Sequence, residues 1–333
     1  MEDCPPFLKE YFRGIADNKT PGAMLAYAYD LRIFFEFLHK EEKMPAPPEW
    51  TLAHLKAVTM ENIENFLYYT SYYQRTYASQ NDKTYTLERA NSAKTKSRKL
   101  SSLRAMFNYF IKREKLDTNP AKKIDMPKIR QKNIVYLEAN EVTDLLNQVE
   151  TGSNLTHRQQ KYHQITKRRD MAIFTLLLGT GIRISECVGI DINHIDFNTN
   201  KLKVVRKGGD EDIVFFGKEV KEALLNYLEE REKKNPVKGY ENALFLSGKN
   251  RRITPRAVQN LVKKYTKLIS TKTISPHKLR STFGTHLYRE TGDLYLVAEM
   301  LGHKDVNTTK KHYASLGEEK KRKAAELVKL RED

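Results

Sequence analysis

The stretch SPHKLRSTFGTH (275–286) sets an imidazole, His277, three residues before a guanidinium, Arg280, with no carboxylate between them. Ser275 is a good helix cap and Pro276 suits the first helical position, so the spacing predicts a helix starting here with both side chains on one face of its first turn. Leu279, Phe283 and Leu287 recur at helical spacing and should face a core. Such a pair is either functional or a buried structural pair, and locally the second is the commoner. In GTGIRISE (179–186) two glycines close an apolar helix, and Arg183 and Glu186 follow, three apart. An arginine beside a glycine-rich break can project into a cleft while the glutamate holds its guanidinium. The same spacing fits a surface ion pair at a helix junction. Lys207 sits at a Gly208-Gly209 hairpin tip, where solvated turn lysines are common. LGHKDVNTTKKHYA (301–314) ends a helix at Gly302, exposes His303 and restarts at Asn307, with Tyr313 inside the second helix, where tyrosines usually pack. Each stretch alone leaves its bland reading open.

The composition narrows the partners. Lys and Arg number 59 against 42 Asp and Glu in 333 residues, a net charge of +17. An excess this large suits a polyanion, nucleic acid before anionic membrane, although a solvated lysine-rich surface has the same signature. Two cysteines, Cys4 and Cys187, exclude a disulfide framework and a multi-cysteine zinc site. The N-terminal stretch lacks the apolar run of a signal peptide, and no segment approaches the roughly 18 apolar residues of a membrane span. The expectation is a soluble, cytoplasmic protein.

These residues must be positioned by elements that the chain spells out in order. Thr20-Pro21 starts a helix with Leu25, Ala28, Leu31, Phe34, Phe35 and Leu38 in one stripe; MPAPPEW (44–50) breaks it. Thr59 caps a second helix, MENIENFLYYTSYYQRTY, and a third runs through SRKLSSLRAMFNYFIKR with Leu100, Leu103, Met106, Phe107, Phe110 and Ile111 inward. Between Lys83 and Lys132 there are 15 basic and four acidic residues, and Lys94, Lys96, Arg98 and Lys99 lead into the third helix. A cation-rich helix entrance suits backbone phosphates, though a solvated helix end is the alternative. Pro120 and Pro127 bracket a basic linker. The expected organisation is an all-helical domain over 1–125, a linker over 126–137 and a second domain over 138–333. The second domain starts with two helices, separated by a hydrophilic insert at 151–169 that shows no obvious core residues. KLKVVRKGGDEDIVFF (201–216) reads as a β-hairpin, and helices resume at KEVKEALLNYLEEREKK and continue to the end.

TGIRISE, RKGG, PHKLRSTFGTHL and LGHKDVNTTKKHYA occur in the order and approximate spacing of the tyrosine recombinases, the phage-integrase family that includes the Xer chromosome-dimer resolvases. The resemblance covers the whole second domain, and the first resembles the family's core-binding domain. It implies a mainly α, two-domain fold: a helical, SAM-like core-binding domain, then a mixed α/β catalytic domain with a small antiparallel sheet and a C-terminal tail helix.

The resemblance also implies the chemistry. The family cuts DNA by attack of a tyrosine oxygen on a backbone phosphorus, without a metal or cofactor, and keeps the bond energy in a 3′-phosphotyrosine link. Arg183 and Arg280 match the two arginines that face the non-bridging oxygens, where fixed guanidiniums stabilise the charge of the transition state. His277 matches the general base, Lys207 the general acid for the 5′-oxygen, His303 a donor to a non-bridging oxygen, and Tyr313 the nucleophile. Glu186 would orient Arg183 or His277. In many members the nucleophile is the ninth residue after the second histidine; here that is His312, and Tyr313 is the tenth. HKD replaces the small residues common after that histidine, and the 151–169 insert is longer than in the simplest Xer proteins. The implied partner is duplex DNA with a palindrome-like core site, bound by a homotetramer whose C-terminal helix docks on the neighbouring protomer. The implied setting is the bacterial cytoplasm, in chromosome partition at cell division. Alternatives are a mobile-element integrase, a type IB topoisomerase activity and a non-catalytic DNA-binding regulator.

Overall fold

The computed structural model describes residues 4–78, 84–129, 134–206, 208–303 and 305–313, with the backbone alone at 75–78, 84, 85, 89, 308 and 311–313. The chain divides into two compact units, Met1–Gln131 and Lys132–Asp333.

The first unit holds helices α1 (Phe7–Ile15), α2 (Pro21–Lys40), α3 (Leu52–Lys56), α4 (Met60–Tyr69) and α5 (Ala93–Ile111), with a hairpin of β1 (Tyr73–Ala78) and β2 (Thr84–Arg89) between α4 and α5. The Thr20 hydroxyl accepts from the Ala23 N–H and Pro21 takes the first helical position, fixing the start of α2. Its stripe is buried from Leu31 through Phe34 and Phe35 to Leu38, whereas Leu25 is exposed. Aromatic edges fill this core: Phe34 against Phe66 at 5.1 Å and Phe35 against Trp50 at 4.9 Å. From α5, Leu100, Leu103, Met106, Phe107 and Phe110 enter the same core.

The unit is not all helical. The helix expected to run from Thr59 to Tyr77 stops at Tyr69, and the Thr70 hydroxyl bonds back to the Leu67 carbonyl. Past that point YQRTYA pairs antiparallel with TYTLER, Tyr73 opposite Arg89 and Ala78 opposite Thr84. Tyr and Thr lose rotamer freedom in a helix and suit a pleated surface, so pairing overrides the helical spacing.

The second unit is built around α7 (His157–Thr180), which packs against α6 (Ala139–Thr151), α9 (Lys218–Arg231) and α11 (Pro276–Thr291). A three-stranded antiparallel sheet, β3 (Ile195–Asp196), β4 (Lys201–Val205) and β5 (Glu211–Phe215), follows α8 (Ile184–Gly189). Leu202 faces Val214 in register, and with Val204 these residues point into the core formed by α7, α9 and α10 (Pro255–Ile269). Between α9 and α10 the chain is not helical; there Leu244, Phe245 and Leu246 are fully buried. Helices α12 (Leu294–Met300) and α13 (Val306–Tyr313) complete the described residues, and Phe283 and Leu287 of α11 pack with Tyr288, Val297 and Leu301 in a second apolar cluster.

The hydrophilic insert at 151–169 is mostly the first half of α7, and it does have a core. Leu155 and His163 are buried, with His163 Nδ1 2.9 Å from the Tyr265 hydroxyl and Nε2 3.3 Å from the Glu150 carbonyl. Gly152 closes α6 at φ 65°, and a Cβ there would meet the His163 ring at 2.6 Å. Leu155 just ahead of the helix, with His163 and Arg169 in it, seats this stretch while its other faces stay in solvent, and only one of the three is apolar, which is why the sequence lacks an apolar stripe.

Candidate active site

Two helix ends frame the site. Helix α7 ends at Gly181 in the left-handed region, and α12 runs into a turn at Leu301-Gly302, where Gly302 is left-handed as well. Glycine adopts that conformation without the steric cost borne by other residues, so the carbonyls of both turns are presented sideways.

Arg183 stands at the N-cap of α8. Its backbone N–H donates to Glu186 Oε2 at 2.7 Å and its Nη1 to Glu186 Oε1 at 2.8 Å; its Nη2 lies 3.5 Å from the Gly302 carbonyl. The Glu186 carboxylate is buried while the Arg183 side chain stays 35 % exposed, so a guanidinium held from behind keeps an open side. Arg280, on the first turn of α11, donates from Nη1 to the Gly181 carbonyl at 2.7 Å and from Nη2 to the Leu301 carbonyl. Each arginine is thereby pinned to the α12–α13 turn, and Arg280 also ties that turn to the end of α7. His277 is exposed on the turn that carries Arg280. His303 follows Gly302; its Nδ1 is 2.7 Å from the hydroxyl of Thr309, a buried residue of α13.

Tyr313 is the last residue of α13, and of it only the helical backbone is described. Lys207 lies outside the described residues. On either side of it the hairpin closes: the Arg206 N–H donates to the Asp210 carbonyl at 2.7 Å, and the Gly209 N–H to the Arg206 carbonyl at 3.1 Å. The structure thus brings Arg183, Glu186, Arg280 and His303 together around two turns, with His277 one helical turn from Arg280.

Arg206 and Thr309 were not singled out from the sequence. Arg206 Nη1 donates to Glu186 Oε2 at 3.0 Å and its Nε to Asp212 Oδ2 at 2.9 Å. Period-two alternation could have found it, since Leu202 and Val204 point inward and Arg206 is next on that face. Cys187, beside Glu186, is fully buried; burial first, and the Glu186 charge second, push its thiol up to about 12, so it takes no part as a nucleophile. Among the described residues no three His, Cys, Asp or Glu side chains lie close enough to hold a metal ion.

The four cations expected at the entrance of α5 divide. Lys94 is exposed, and Lys96 donates to the Ser71 hydroxyl. Arg98 and Lys99 both pair with Asp30, and Lys99 is 2 % exposed, with its ammonium 3.1 Å from Asp30 Oδ1. Lys99 is therefore a buried structural cation, not a phosphate contact: it neutralises a carboxylate that α2 carries into the core.

Residues 135–320, more than half the chain, match the phage integrase family. The chain belongs to that family. Similar proteins include a tyrosine recombinase XerC from Caldanaerobacter subterraneus subsp. tengcongensis, 33 % identical over 92 % of this chain and 82 % of the relative. Another XerC, from Thermodesulfovibrio yellowstonii, is 36 % identical over 66 % of this chain and 71 % of its own. As a phage integrase family member of Xer-like sequence, the protein is a tyrosine recombinase, a site-specific DNA recombinase enzyme. Its fold is similar to that of XerH in a post-cleavage complex with palindromic difH substrate (TM-score 0.69, 21 % identity, 96 % of this chain, 83 % of XerH). It is also similar to the Tn1549 transposon integrase in complex with circular intermediate DNA (TM-score 0.64, 21 % identity, 92 % of this chain, 94 % of the integrase). The fold here is mainly α with two small antiparallel sheets, and its structural neighbours are tyrosine recombinases of two-domain architecture.

Proposed function

We propose that this recombinase cuts and rejoins duplex DNA through a 3′-phosphotyrosine link on Tyr313 and serves in Xer-type resolution of chromosome dimers. The observation that carries the reading is the pair of guanidiniums, Arg183 and Arg280, held by a buried carboxylate and by backbone carbonyls. Tyr313 Oη attacks the scissile phosphorus; the bond from phosphorus to the 5′-oxygen breaks, and that oxygen leaves as a hydroxyl. Negative charge gathers on the non-bridging oxygens, where fixed cations stabilise it without reorganising. A free tyrosine has a pKa of about 10, so its proton must be taken, and His277 is the base. Lys207 gives a proton to the departing oxygen, and His303 donates to a non-bridging one. Rejoining is the reverse, with a 5′-hydroxyl from the partner duplex as attacker, so no external energy source is required.

The first unit supplies a core-binding surface, for which exposed Lys94 is a candidate phosphate contact. Four protomers exchange strands across two sites, and deleting residues 317–333 should impair recombination far more than single-site DNA binding. Relatives named XerC that match almost the whole chain support the Xer reading over a mobile-element integrase; fold likeness favours neither, since XerH and the Tn1549 integrase score alike. The test is a nicked suicide duplex built on the sequence this protein selects from a random-core DNA pool. Wild type should form an SDS-stable covalent adduct and Tyr313→Phe none; an adduct that persists in Tyr313→Phe moves the nucleophile elsewhere. A two-site plasmid then separates recombination, which gives a deletion product, from topoisomerase relaxation, which does not.

A further inference from the structure

The Glu186 carboxylate that holds Arg183 poses an electrostatic problem. It is buried, accepts two hydrogen bonds from Arg183 itself, and would cancel the charge of the guanidinium it orients. A neutral pair offers little to a phosphate. We propose that Arg206 solves this as a positioning residue: it adds a second guanidinium to Glu186, sharing Oε2 with the Arg183 backbone N–H, so that the carboxylate holds Arg183 without quenching it.

Three independent observations converge on Arg206. Its Nη1 is 3.0 Å from Glu186 Oε2, which makes Glu186 the bridge between two guanidiniums and leaves the trio with one net positive charge. Its side chain is only 10 % exposed, so this charge acts in a poorly screened setting, whereas its other partner, Asp212, is 44 % exposed and is screened by water. Its guanidinium lies against Gly302, where a Cβ would fall 2.8 Å from Arg206 Cζ. Gly302 also provides the carbonyl near Arg183 Nη2 and immediately precedes His303. One planar cation thus spans the β4–β5 hairpin, α8 and the α12–α13 turn. Arginine suits this use because its fork serves two carboxylates at once while one face packs flat on backbone.

The inference rests on the reading that Arg183 faces the scissile phosphate. On the suicide duplex at saturating protein, Arg206→Gln keeps volume but loses charge; it should bind DNA about as well as wild type while its adduct forms at least roughly tenfold more slowly. Arg206→Lys keeps the charge and should retain most of the rate. Adding Glu186→Gln to Arg206→Gln removes the uncompensated carboxylate and should recover a large part of the loss, which no purely structural role predicts, since a second contact is lost. Thermal unfolding of each variant establishes that it is folded. A folded Arg206→Gln that cleaves at the wild-type rate overturns the proposal, as does a double variant no faster than Arg206→Gln. If wild type itself forms no Tyr313-dependent adduct, the functional reading fails instead, and the two failures are distinct.

Discussion

Arg280 and Arg183 donate to consecutive carbonyls, Arg280 to Leu301 and Arg183 to Gly302, so two residues 97 apart in sequence are set by a single turn. Arg280 is buried and also donates to the Gly181 carbonyl. Arg280→Ala therefore does two separable things. Two carbonyls lose a charged donor, at about 1–3 kcal/mol for each one left unsatisfied, and the thermal midpoint of the second unit should fall by at least roughly 5 °C. Adduct formation should fall by about 10²–10³ even at temperatures where the variant is folded. Calorimetry and the suicide duplex read the two effects, and a variant with an unchanged midpoint would contradict the buried bridging role.

How far the sequence reveals such a site depends on the distance over which its contacts run. Arg183 and Glu186 are three apart, and the ion pair between them follows from the spacing once a helix begins there. Arg280 on the first turn of α11 follows equally from Ser275 and Pro276. The carbonyls that hold the two arginines belong to Gly181, Leu301 and Gly302, and nothing in a local pattern brings those together. Arg206 follows in principle from alternation with Leu202 and Val204, but it stands one residue past the end of β4, at the entry to a polar turn where an arginine is ordinarily solvated. In the fold, the main helices and the 201–216 hairpin are written in apolar periodicity. The β1–β2 hairpin is not, because Tyr and Thr at positions 69–77 continue a helical spacing that strand pairing then overrides. The start of α7 is hidden because the buried side chains there, Leu155 just ahead of the helix and then His163 and Arg169 within it, include a single apolar one and make no pattern.

Lys99 gives the sharpest contrast between charge in sequence and charge in structure. It stands among exposed cations, yet its partner is Asp30, 69 residues earlier, and both side chains are 2 % exposed. Burial raises the Asp30 carboxyl and the nearby Lys99 and Arg98 charges oppose that shift, so the three groups form one interdependent cluster. Lys99→Met should destabilise the protein by about 3 kcal/mol, the low end for breaking a buried pair because Arg98 still reaches Asp30. Lys94→Ala should stay within about 0.5 kcal/mol of wild type in stability. If Lys94 meets a phosphate, its loss should also weaken DNA binding for all sequences alike and lower the salt slope by about one. Denaturant titration and salt-dependent binding check the pair; equal stability effects would refute the structural role of Lys99.

His163 couples the start of α7 to pH. Burial is the main cause that pushes its imidazole below its ordinary value, outweighing the Glu150 carbonyl and the Asp170 charge that favour the protonated ring, while Lys264 lowers it further. The folded protein thus holds fewer protons here than the unfolded chain, whose histidine titrates near 6.5. The associated stability is present in full above about pH 6.5 and is lost as pH falls toward the lowered folded value. The thermal midpoint of the second unit should fall between about pH 7.5 and pH 5.5, and His163→Gln should flatten that decline. An equally steep decline in the variant would assign the dependence to other groups.

Gly302 tests the turn itself. It adopts φ 58°, its N–H donates to the Glu299 carbonyl at 2.8 Å, and its Cα is where the Arg206 guanidinium packs. Alanine in the left-handed region costs about 1–2 kcal/mol before any contact is considered. The added Cβ would then lie 2.8 Å from Arg206 Cζ, so the guanidinium must move away from Glu186 or the turn must open. The first takes the Arg206 contact from the carboxylate that holds Arg183, and the second shifts the carbonyls that Arg183 and Arg280 bond. Gly302→Ala should therefore lower the midpoint by several degrees and slow adduct formation by about tenfold or more, with DNA binding little changed. Gly189→Ala, where a Cβ meets nothing within 4 Å, is the matched control and should leave both quantities near wild type. Wild-type cleavage by Gly302→Ala would mean that neither the Arg206 contact with Glu186 nor the position of this turn matters to the seating of Arg183.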